Sequence, residues 1–214
     1  MMREMEHQQT IRAEIYLLLS ALYRQVPSNE LITFLCELET EQAESAMQVA
    51  WKQLKDAAQE SSAVALEDEY QELFIGIGRG EVVPFASWHL TGSLMEKPLA
   101  SIRHDLELLG LEREEQVKEP EDHISALCEV MSLLTAEEEE LQQLFFNKHI
   151  ATWFSQFVAQ INQAEDASFY KAVAELTNAF MSLEQVRFST NLQSHKNRIK
   201  IDVKNVADYE QPQH

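Results

Sequence analysis

The stretch IRAEIYLLLSAL, residues 11–22, decides the fold class. Ile11, Ile15, Leu18, Leu19 and Leu22 fall at spacings of 4, 3, 1 and 3, the pattern by which a helix buries one face. The apolar run from Ile15 to Tyr23 is broken by Ser20 and falls short of the ~20 residues a bilayer span requires, so no stable membrane insertion is expected. Pro27 and Ser28 stop this helix and start the next, which carries Leu31, Ile32, Phe34, Leu35 and Leu38. Thr40 is a candidate cap for a third, with Met47, Ala50, Trp51 and Leu54 on its face. Helical spacing returns in Leu66, Tyr70, Leu73 and Phe74, then in Leu99, Ile102, Leu106 and Leu109 ahead of Gly110. It returns again in Ile124, Leu127, Met131 and Leu134, with Pro120 suited to that helix's first turn. Thr135-Ala136-Glu137-Glu138 has the order of a capping box and predicts a helix running past Trp153 to Ile161, and a last helix is expected over 168–185.

Composition agrees with an all-α chain. The 214 residues suffice for one full core, and only five glycines and five prolines punctuate them, which excludes a turn-rich β-sandwich. The formal net charge of −19 leaves no basic stripe for nucleic acid and favours a cationic partner. Residues 1–186 carry −21 of it and form the expected helical domain, whereas residues 187–214 carry +2 and are expected to be a peripheral C-terminal arm. Within that arm Ile199, Ile201 and Val203 alternate as a strand would, with nothing visible to pair with. Cys36 and Cys128 sit in apolar surroundings without a CxxC spacing and read as free thiols of a reducing compartment. Glu4, Glu6 and Glu14 interrupt the opening residues where a secretory signal would be apolar, so a cytoplasmic location is expected.

No motif compels catalysis. Gly76, Gly78 and Gly80 cluster in a loop, which invites a nucleotide-binding or hydrolysing alternative, yet the Gly-Lys-Ser/Thr ending of a phosphate loop is missing and the cluster follows a helical pattern. The plain reading is a connector. The one Glu-x-x-His pair, Glu4 and His7, lies near the start of the chain, so no metal site and no cofactor are expected. Cys128 stands one turn beyond His123 without a placed third group, so no catalytic residue is assigned. His149 and Trp153 stand four apart and read as a structural pair at the core's edge. The run Glu119-Pro120-Glu121-Asp122-His123 presents polar groups at a helix start, where Asp122 serves either as an N-cap or as a ligand-binding group.

Two segments resemble a known family. Glu69–Gly76 with Pro84-Phe85-Ala86-Ser87-Trp88, and Glu119-Pro120-Glu121-Asp122-His123-Ile124, are similar to the signatures of the TorD/DmsD/NarJ chaperones. The order Y-x-x-L-F, P-x-x-S and E-P-x-D-H spans roughly residues 66–135. The resemblance implies a single all-helical bundle of the TorD-like type that is not an enzyme. It implies a cytoplasmic chaperone that holds the twin-arginine leader of a molybdenum-cofactor oxidoreductase until the cofactor is inserted. Carried residue by residue, it implies that Pro84, Ser87 and Trp88 help line a leader groove, and that Glu119, Pro120, Asp122 and His123 form its polar wall. Tyr70, Leu73 and Phe74 would support that groove from below. A monomer or a domain-swapped dimer fits this family. A helical adaptor for another basic partner is the remaining alternative.

Overall fold

The computed structural model describes residues 2–39, 45–76 and 80–195. Ten α-helices make up the described residues: α1 (Met2–Arg24), α2 (Asn29–Glu37), α3 (Ala46–Glu60), α4 (Ala63–Tyr70), α5 (Ala86–Thr91), α6 (Lys97–Leu108), α7 (Ile124–Leu134), α8 (Glu139–His149), α9 (Phe154–Gln163) and α10 (Phe169–His195). A π-helical turn, Gln71–Ile75, extends α4. Among the described residues there is no strand, only an isolated antiparallel bridge between Phe85 and His123. The all-α expectation therefore holds. Nor, among them, is any helix long and apolar enough to cross a membrane.

α1 packs along α7, α3 and α9 pack on α10, and α2 covers α3. The buried face of α1 is rotated slightly from the stripe of aliphatics. Tyr16, Leu19, Leu22 and Tyr23 are fully buried, while Ile11 is 40 % exposed. Tyrosine can take core positions when its hydroxyl finds a partner. Tyr16 Oη donates to Glu184 at 2.9 Å, and Tyr23 Oη lies 2.8 Å from the Thr177 hydroxyl. Arg12, also buried, meets the same Glu184 through Nε at 2.8 Å and Nη2 at 2.6 Å, tying α1 to α10.

Helix starts follow cap chemistry, with corrections to the sequence reading. Ser28 caps α2 and Ser45 forms a reciprocal capping box with Gln48 on α3; Thr40, the expected cap, lies outside the described residues. Thr135 does not open α8. Its hydroxyl donates to Ser132 O at the end of α7, and α8 starts at Glu139. Nor does one helix run to Ile161, because the chain breaks at Ile150–Trp153, where Trp153 Nε1 donates to the His149 carbonyl at 2.7 Å. That indole satisfies one of the acceptors a helix end leaves open. His149 and Trp153 thus face different neighbours: His149 meets Asp105, and Trp153 stacks on His89 with centroids 5.1 Å apart. α10 continues past the expected end at 185 to His195, and Phe188 is buried against Phe146. The remainder of the expected arm, 196–214, with Ile199, Ile201 and Val203, lies outside the described residues.

The glycine cluster has a packing reason at Gly80. The π-turn closes with Gly76 N–H on Gln71 O at 2.7 Å, and Gly76 has a φ of 56°. Residues 77–79 lie outside the described residues. The chain then returns against the turn, Glu81 N–H bonding Glu72 O at 3.2 Å and Val82 N–H bonding Leu73 O at 2.7 Å. A Cβ at Gly80 would sit 2.4 Å from Leu73 O, a backbone atom with nowhere to go. Gly80→Ala is therefore expected to cost about 1–3 kcal/mol in urea unfolding, and an unchanged midpoint would show the contact to be dispensable.

Candidate functional site

Pro84, Ser87, Asp122 and His123, four of the expected site residues, meet in a clasp between two loops. Ala86 N–H donates to Asp122 O at 2.9 Å, and Ile124 N–H to Pro84 O at 2.9 Å. The Asp122 carboxylate accepts from Ser87 N–H at 3.0 Å, in the first turn of α5. Asp122 therefore does not cap α7, the helix that follows it. That role falls to His123, whose Nδ1 accepts from Ser125 N–H at 3.1 Å. An acceptor Nδ1 fixes the neutral Nε2–H tautomer. Burial, and then the Arg24 charge, push the His123 pKa down to about 3. The Phe85 ring packs edge-on against the His123 ring with centroids 5.0 Å apart.

Pro84, Ser87, Asp122 and His123 are all buried, whereas Trp88, Glu119 and Pro120 are partly exposed. Tyr70 and Leu73 lie in the core, and Phe74 packs against its edge. Phe74 meets Tyr70 at 5.1 Å and Tyr170 at 4.9 Å between centroids, and Tyr70 Oη donates to Tyr23 O at 3.3 Å. Burial and the nearby Glu119 charge raise the Tyr70 phenol to about 12.

Glu119 lines a cleft of about 260 Å³ between the 111–121 segment and α7. Its apolar surface comes from Leu106, Leu111, Val117, Val130 and Leu133, and Leu133 is 54 % exposed. Five carboxylates border it: Glu112, Glu114, Glu119, Glu121 and Glu129. Glu121 is paired with Arg103 and Arg113, and Glu129 with Arg24. Burial works to raise the Glu121 carboxyl, but its own backbone hydrogen bond and these two arginines outweigh it and hold it below the usual range. Of the expected site residues only Glu119 borders this cleft. Of the cleft residues the sequence reading missed, only those within 112–121 had a signal, the six acids in the 112–122 connector. Among the described residues no group of three His, Cys, Asp or Glu side chains is placed to hold a metal ion.

A model of the nitrate reductase delta subunit family matches residues 40–159, more than half of the chain and all three signatures. The chain belongs to the nitrate reductase delta subunit family. Among relatives of this family, the chaperone protein TorD of Vibrio cholerae is 26 % identical over 211 residues, covering 86 % of this chain and 95 % of its own. A Haemophilus influenzae protein named as the Tat proofreading chaperone DmsD is 29 % identical over 129 residues, 59 % of this chain and 64 % of its own. A crystal structure titled as a redox enzyme maturation protein, from Archaeoglobus fulgidus, superposes with a TM-score of 0.54 at 21 % identity. It covers 81 % of this chain and 93 % of its own, and shares the helical fold. The relatives carry chaperone names and no enzyme name, in agreement with the non-enzyme expectation.

The clasp makes a pH prediction. His123 is neutral in the folded chain with a pKa near 3, against 6.5 for an unperturbed histidine, so the unfolded chain binds the extra proton between these values. Stability should fall as pH is lowered from about 6.5. His89 and His149 are shifted in the same direction, chiefly by burial. Unfolding midpoints between pH 7.5 and 4.5 should drop less steeply in His123→Asn, which keeps a capping oxygen without the titrating ring. An identical slope in the variant would remove His123 from the account.

Proposed function

We propose that this protein is a chaperone for the maturation of a molybdenum-cofactor oxidoreductase, and that it binds the client's twin-arginine leader in the cleft between the 111–121 segment and α7. Family membership and the chaperone names of the relatives support the general role. The observation that carries the leader reading is chemical: an apolar surface bordered by Glu112, Glu114 and Glu119, none of which has an ion-pair partner among the described residues. A leader with two guanidinium groups followed by an apolar stretch complements both features.

In this reading Asp122, Ser87, Pro84 and His123 position the cleft rather than touch the leader. Tyr70, Leu73 and Phe74 support it from below, Glu119 contacts the leader, and Pro120 and Trp88 extend the contact surface. A cytoplasmic location goes with a task completed before export. Burying about 400 Å² of apolar leader surface at about 25 cal/mol/Å² gives roughly 10 kcal/mol gross, whereas an exposed Arg–carboxylate pair adds about 0.2–1. Ordering the peptide and losing translational freedom cost several to more than 10 kcal/mol, so binding near the micromolar range results. Apolar contact supplies the affinity, and the carboxylates supply orientation and encounter rate.

Fluorescence anisotropy with a labelled Arg-Arg leader peptide and its Lys-Lys counterpart tests the reading. Saturable binding is expected, several-fold weaker for Lys-Lys, with Glu119→Gln and Val130→Asp each weakening it about three- to tenfold. Binding that survives both substitutions but is lost in Trp88→Ala would move the site to α5. No binding of either peptide would reject the leader reading.

A further inference from the structure

Two of the five cleft carboxylates are already held by arginines of this chain. Arg24, the last residue of α1, places Nη2 against Glu129 Oε2 across 105 positions of sequence. Arg113 Nε lies 3.3 Å from Glu121 Oε1. Both arginines line the cleft. Arg103 holds the other Glu121 oxygen at 2.9 Å and borders a neighbouring hollow instead.

These pairs differ from the chain's structural ion pair. Arg12 and Glu184 are 9 % and 4 % exposed, and breaking such a pair strands a charge in the core. Arg24 and Glu129 are 34 % and 48 % exposed, and Arg113 is 36 % exposed against a Glu121 that is 13 % exposed. Pairs open to water are weak and exchange readily. The 3.3 Å contact is also long for a charge-assisted bond.

We infer that Arg24 and Arg113 are resident stand-ins for the guanidinium groups of the ligand, holding Glu129 and Glu121 until the arginines of a cationic peptide replace them. The inference rests on the leader reading and names two contact carboxylates that it leaves unassigned. Exchange of one guanidinium for another keeps each carboxylate neutralised at every stage, so neither negative charge is stranded. The apparent affinity is lowered by the fraction of cleft held by the stand-ins. A lysine ligand brings a point charge without the planar fork of donors, and pairs less well with the freed carboxylates. The stand-ins therefore lower the affinity for an arginine and a lysine ligand by the same factor and leave the preference between them unchanged.

The test titrates the full chain with the Arg-Arg and Lys-Lys peptides, comparing wild type with Arg24→Gln, Arg113→Gln and the double variant. Lys52→Gln, on the outer face of α3, controls for net charge. Each arginine variant is expected to bind Arg-Arg and Lys-Lys about two- to fivefold tighter, with the preference between them unchanged, beyond any change in Lys52→Gln. Adding Glu129→Gln to Arg24→Gln should abolish that variant's gain. Thermal melts confirm folding, and Arg113→Gln, on a loop, serves if Arg24→Gln unfolds. If wild type binds while the arginine variants bind no tighter than the control, the stand-in inference is overturned and the leader reading survives. If no form binds, the leader reading itself fails.

Discussion

The Asp122 carboxylate is the constraint from which the site is built. It is buried, and a buried charge is tolerated only when polar groups solvate it. Here it accepts the Ser87 N–H at the start of α5, while its own carbonyl accepts the Ala86 N–H. The Ile124 N–H to Pro84 bond closes the same junction, so two loops separated by the whole of α5 and α6 are fixed as one piece. Everything after that junction inherits its position: α7 leaves from Ile124, and the Glu119–Glu121 turn is held ahead of it. His123 N–H on Pro120 O, at 3.1 Å, carries the constraint one step back toward the cleft.

On the other side, the segment after the glycine loop is tied to the body by separate contacts. Gln160 of α9 accepts the Val83 N–H at 3.1 Å and donates to Glu81 O at 3.2 Å. Glu69 accepts the N–H groups of Ser168, Phe169 and Tyr170, at 2.8, 3.1 and 2.8 Å, and so caps α10 from a hundred residues away. A carboxylate there also complements the positive end of the helix dipole. The acidic surplus is thus not spread idly over the surface. Some carboxylates close helix ends and loops, and Glu112, Glu114 and Glu119 border the cleft without an ion-pair partner among the described residues.

The sequence announced the helices well and the site only indirectly. Periodicity located the stripes of α1, α6 and α7 because a 3.6-residue repeat is local information. It misjudged α8 and α9, since the break at Ile150–Trp153 depends on where an indole N–H finds an acceptor, which spacing does not record. The signature residues were legible as a group and misread in role. Asp122 and His123 stand side by side, yet one caps the helix of another loop and the other caps its own. Which way a carboxylate turns is set by tertiary contacts. Glu129 and Arg24 were never candidates, because nothing near either residue reveals a partner more than a hundred positions away.

A rigid clasp beside a charged, weakly held segment suits a binding task that must end in release. Arg113 ties the 112–119 segment to Glu121, which is 13 % exposed, and to the exposed Val117 carbonyl. Were its carboxylates buried as Asp122 is, binding would require desolvating charges on both partners, and dissociation would strand them. In the proposed complex, carboxylates left near water each contribute little, which favours release. In the proposed complex, affinity depends on how much apolar surface the ligand lays over Val117, Val130 and Leu133, a quantity that changes with the length and hydrophobicity of the bound segment and not with its charge alone.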